Sequence, residues 1–62
     1  MCLSTVYIDA DGQLTKIMED VAGMEAKDDG FMFVNLFGEG KFVRGRLKNV
    51  DFVDDNSVIL EE

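Results

Sequence analysis

Four turn signals divide this chain into short pieces: Asp9-Ala10-Asp11-Gly12, Asp28-Asp29-Gly30, Gly38-Glu39-Gly40 and Asp54-Asp55-Asn56. Gly supplies positive φ and Asp or Asn caps local backbone, so each cluster marks a chain reversal. The Asp29-Gly30 step is the pair favoured in tight hairpins. Breaks about 10 to 15 residues apart leave room for strands, and predict an all-β chain: a small antiparallel barrel or sandwich of five to six short strands.

The segments between the turns carry strand patterns. Over residues 2–8, Cys2, Ser4, Val6 and Ile8 share one face and Leu3, Thr5 and Tyr7 the other. Residues 31–37 are apolar on both faces, with Phe31, Phe33 and Phe37 opposed to Met32, Val34 and Leu36. Such a strand is central, or packs its second face on a partner chain. In residues 42–53 the set Val43, Gly45, Leu47 and the set Val50, Phe52 have opposite parity, which predicts a bulge or bend near Lys48-Asn49. Residues 57–60 form a short closing strand. Residues 14–24 read equally as an amphipathic helix, through Leu14, Ile17, Met18 and Val21, or as strand with a corner at Glu19-Asp20. The neighbouring strands need a partner, which favours strand.

At 62 residues the chain is a single domain, spanning 1–62, whose own core is marginal. Domains of this size need a disulfide, a metal or a partner chain. A single cysteine allows no internal disulfide, and the absence of His removes the commonest metal ligand and every Ser-His or Cys-His nucleophile. No apolar run spans a membrane and no secretory leader pattern is present, so the expectation is a cytoplasmic protein with Cys2 reduced.

Most catalytic templates fail. The carboxylate pairs Asp9/Asp11, Asp28/Asp29 and Asp54/Asp55 fall in turns, where Asp has a structural role. With no acid–base pair or nucleophile assembled, the chain is expected not to be an enzyme. Lys41, Arg44, Arg46 and Lys48 form the one basic patch, with Arg44, Arg46 and Lys48 aligned by period 2. It reads as a solvated edge face paired with the acidic excess; the alternative is a metal-free nucleic-acid- or protein-binding barrel using that face. A net charge of −7 opposes phosphate backbones. Met18, Met24 and Met32 read as core fillers.

Cys2 carries more chemical weight. With Met1 retained, the Met1 amine, the Cys2 amide nitrogen and the Cys2 thiolate form two fused five-membered chelate rings. With Met1 removed, the Cys2 amine and thiolate form one. Either donor set suits square-planar Ni(II) or Cu(II). Two chains about a two-fold axis fill the four positions that one chain leaves incomplete. The alternative is a buried cysteine acting as a small hydrophobe.

The start Met1-Cys2-Leu3-Ser4-Thr5-Val6-Tyr7 resembles the small nickel-binding proteins of the CooT type. The likeness continues through Val34-Asn35-Leu36-Phe37-Gly38-Glu39, through residues 43–52, and into Val58-Ile59-Leu60-Glu61. The resemblance implies an SH3-like antiparallel β-barrel and a homodimer binding Ni(II) through Cys2. It also favours strands with a corner near Glu19-Asp20 over residues 14–24. The first described member serves nickel delivery to carbon monoxide dehydrogenase; others have been labelled RNA-binding, which the charge of this chain opposes. The expectation is therefore one Ni(II) per homodimer, held by Cys2 with Met1, in a storage or delivery role toward a nickel-enzyme client.

Overall fold

The structure is a computed structural model describing residues 3–62. Six strands form one sheet: β1 (Ser4–Ala10), β2 (Gln13–Ala26), β3 (Gly30–Asn35), β4 (Gly40–Arg44), β5 (Arg46–Asp51) and β6 (Ser57–Glu61). Their spatial order is β4-β3-β2-β1-β6-β5. The all-β class stands.

The predicted turns fall where strands reverse. Asp11 and Gly12 both adopt positive φ between β1 and β2, as a tight hairpin requires. Residues 14–24 are strand throughout. The corner lies at Asp20, with φ of 56°, and its carbonyl accepts the Leu36 N–H at 2.8 Å. The bulge lies in β5, where pairing with β6 slips between Leu47 and Asn49.

Gly45 governs the topology. It alone separates β4 from β5, yet these are the two edge strands of the sheet. The sheet must therefore curl until its edges meet at that corner. Gly45 has φ of 150°, and a Cβ there would lie 2.8 Å from the Glu61 carbonyl oxygen, so only glycine fits. The chain turns a corner at Gly45 without a hairpin. The strand count is thereby offset by one, and β6 runs parallel to β1, with Thr5 opposite Ser57 and Asp9 opposite Glu61. This corrects a purely antiparallel sheet. Among the described residues no ladder joins β4 to β5.

Every strand contributes to the core. Val6, Val21, Phe33, Val43, Val58 and Leu60 are buried, with Ile8, Ile17, Met18, Phe31 and Val50 packed against them. Burying each such side chain contributes about 1.5–3 kcal/mol. Of the two apolar faces of β3, Phe33 fills the centre while Val34 stays exposed. Met24 is also exposed, not a core filler. The fifth strand ends at Asp51, so Phe52 and Val53 lie outside it.

Candidate functional site

Met1 and Cys2 lie outside the described residues, so the site is built from what surrounds the chain start. β1 opens at Ser4, which is buried and pairs with Val21. The Thr5 N–H donates to the Asn56 carbonyl at 2.9 Å, fixing the start of β1 against the approach to β6.

Beside Ser4 lies an apolar groove of about 260 Å³, which Val21, Gly23, Met24, Phe33 and Phe52 help to line. Phe52, in the connection between β5 and β6, contributes to one side of it. There Asp51 Oδ1 accepts the N–H groups of Val53 at 2.9 Å and Asp54 at 3.0 Å, an Asx turn that bends the chain just after β5. These two bonds, that from Asp54 first, hold the Asp51 carboxyl below its ordinary pKa. Past the bend, Phe52 is 64% and Val53 89% exposed. Sequence parity grouped Phe52 with Val50; the signal for the bend was Asp51, three residues ahead of the Asp54-Asp55 pair.

Asn56 closes the loop with φ of 49°. Its Oδ1 is buried and has no hydrogen-bond partner among the described residues. An acceptor left so costs about 1–3 kcal/mol.

The four basic residues do not lie along one strand, although Arg44 and Arg46 line a common groove. Gly45 interrupts the run, placing Arg44 on β4 and Arg46 on β5, and the bulge displaces Lys48 from the period-2 alignment. Arg44 pairs with Asp29 at 3.1 Å, Arg46 with Glu61 at 3.9 Å, and Lys48 with Asp9. The hydrogen bond to Asp9 raises the Lys48 ammonium above its ordinary pKa, as that to Glu19 does for Lys16. Three of the four cations thus pair with acids: Arg44 with one in the β2–β3 connection, Arg46 with one on β6 and Lys48 with one on β1.

Among the described residues no group of three or more His, Cys, Asp or Glu could hold a metal ion. Cys2, the thiol singled out in the sequence, lies outside those residues; a thiolate with neighbouring backbone nitrogens is by its chemistry a donor set that fits Ni(II). No helix among the described residues is long and apolar enough to cross a membrane.

The curled, six-stranded sheet defines a small all-β protein. The chain belongs to the CooT family, described as CO dehydrogenase accessory protein, whose pattern matches residues 1–61. An uncharacterized protein of Methanocaldococcus jannaschii is 34% identical over 61 residues, covering 98% of each chain. The fold matches the crystal structure of a CooT-type protein from Carboxydothermus hydrogenoformans with a TM-score of 0.88 at 23% identity, over 98% of this chain and 97% of that one.

Proposed function

We propose that residues 1–62 act as one cytoplasmic, non-catalytic domain that binds Ni(II), one ion per homodimer, and stores it for or delivers it to a nickel enzyme. Cys2 of each copy supplies the thiolate, and the Met1–Cys2 segment supplies nitrogen donors. Thiolate and nitrogen donors in a plane suit Ni(II). The family's description as CO dehydrogenase accessory protein supports the accessory role.

The observation that carries the dimer is the groove beside Ser4. Its lining includes Phe33, Met24 and Phe52, and Phe52 and the Val53 that follows it stand exposed. Exposed apolar surface of this kind marks an interaction site. Two residues of chain reach at most about 7 Å, so an axis that brings two Cys2 thiolates onto one ion also brings two such grooves close. The second copy then adds the apolar burial that a 62-residue core lacks.

Nickel titration of wild type and Cys2→Ser tests this reading. Wild type binds one ion per two chains and develops thiolate-to-nickel absorption in the near ultraviolet. Cys2→Ser loses that absorption and weakens binding more than about 100-fold, beyond the range of outer-shell changes. Equal affinity in the two proteins rejects the reading.

A further inference from the structure

We propose that the free edge of β4 docks an extended acidic segment of a partner protein, which adds to the sheet as a further strand. This surface uses none of the nickel donors, and its test is separate from the nickel titration.

The phase of the β3–β4 ladder decides which backbone groups are free. That ladder pairs Gly30 with Arg44 at one end and Val34 with Gly40 at the other. One step beyond each end, the Gly45 N–H donates to the Asp29 carbonyl at 3.1 Å and the Asn35 N–H to the Glu39 carbonyl at 2.9 Å. Hydrogen-bonded and non-hydrogen-bonded pairs alternate along an antiparallel ladder. Lys41 and Val43 therefore turn their main-chain groups toward β3, and Gly40, Phe42 and Arg44 turn theirs away from it. β4 ends the sheet order, and among the described residues no strand pairs with that outer side. An unpaired edge of this kind is a template for another strand.

Charge complementarity says what kind of strand fits. β4 contains Lys41-Phe42-Val43-Arg44, two cations around two apolar residues, and no acid, in a chain of net charge −7. Val43 is buried, whereas Phe42 is 43% exposed and lies opposite Met32. Arg44 gives its Nε to Asp29 and keeps its side chain largely exposed. Lys41 has no ion pair among the described residues. At the Gly45 end, the groove balances Lys27, Arg44 and Arg46 against Asp28, Asp29 and Glu62, so selection falls to β4 itself. A second copy of β4 brings cations against cations, the usual guard of an edge. A segment with two acids around two apolar residues sets opposite charges across from Lys41 and Arg44 in either strand direction.

The probe is a blocked peptide, Thr-Thr-Glu-Val-Val-Glu-Thr-Thr, and its control replaces both glutamates by lysine. Amide exchange is read residue by residue in wild type. In the free protein Phe42 and Arg44 exchange fast and Lys41 and Val43 slowly. The glutamate peptide slows exchange at Phe42 and Arg44, and added salt weakens its binding. The double change Lys41→Glu with Arg44→Glu raises its Kd about 10-fold. Phe42→Pro removes an outward N–H without breaking the ladder to β3, so the fold persists and binding is lost. Phe42→Ala lacks the ring, keeps the N–H and still binds. No slowing at Phe42 and Arg44, equal affinity for the lysine peptide, or wild-type affinity in Phe42→Pro overturns the proposal. So does slowing at these two amides that grows with protein concentration in the absence of peptide, because the edge then joins copies of this chain.

Discussion

Asn35 and Asn56 each mark the junction of a strand and a connection, Asn35 where β3 ends and Asn56 just before β6 begins, and their side chains are used in opposite ways. The Asn35 Oδ1 accepts the N–H groups of Phe37 at 3.0 Å and Glu39 at 2.9 Å, while its Nδ2 donates to Glu39 Oε1 at 2.7 Å. Its backbone joins in, donating to the Glu39 carbonyl at 2.9 Å. The carboxamide is consumed by its own hairpin. At Asn56 the acceptor is buried and answers to nothing among the described residues. One turn is held by its own carboxamide; the other leaves its carboxamide oxygen without a partner among the described residues. Residue type marks both as turns; only the hydrogen-bond inventory tells them apart.

Removing the two carboxamides should therefore give opposite results. Asn35→Ala strips two backbone N–H groups of their acceptor in a part-buried loop. Each lost hydrogen bond costs about 0.5–1.5 kcal/mol, and stranded donors add to that, so we expect a loss of about 3 kcal/mol in urea denaturation with nickel affinity unchanged. Asn56→Gly should change stability by less than about 1 kcal/mol, the loss of chain stiffness being offset by removal of a stranded acceptor. Were Asn56→Gly the more destabilising of the two, the contrast would be gone. A smaller step sharpens it: Glu39→Ala removes only the acceptor of the Asn35 Nδ2 and should cost about 1 kcal/mol.

Much of the fold was legible because it is locally determined. The Asp11-Gly12 reversal and the β5 bulge each follow from a few adjacent residues, through turn chemistry or a parity change, whereas the corner at Asp20 was favoured only through the need of the neighbouring strands for a partner and the family resemblance. What escaped depends on contacts distant in sequence. Gly45 looks like a glycine within a strand until the sheet order makes it the joint between opposite edges. Arg44, Arg46 and Lys48 look like one stripe until Gly45 and the bulge separate them, each beside a different acid. The same holds around the chain start. Cys2 could be singled out by the chemistry of its position, and it lies outside the described residues. Neither the groove that unites Ser4 with Met24 and Phe52 nor the stranded oxygen of Asn56 has any signature in a single strand. Phe52 even misleads, since it continues the parity of Val50 and yet lies beyond the Asp51 bend.

The finest discriminator between the two turns is pH, because the loop leading to Asn56 is bent by a titrating group and the Asn35 hairpin by a neutral one. The Asp51 carboxylate accepts the Val53 and Asp54 N–H groups, and its pKa is lowered below the ordinary 3.8. A carboxyl with a lowered folded-state pKa contributes its full stabilisation above the unfolded-state value and loses it as pH falls through the folded one. From about pH 4 downward, wild type should therefore lose stability more steeply than Asp51→Asn, which retains an acceptor oxygen but does not titrate. Other carboxylates affect both proteins alike, so the difference between their urea midpoints isolates Asp51. The effect is small because the group is solvent-screened. Asn35→Ala should show no pH-dependent difference of this origin. Parallel midpoint curves for wild type and Asp51→Asn would mean that the bend does not depend on the charge, leaving the backbone conformation at Asn56 to hold the loop against the chain start.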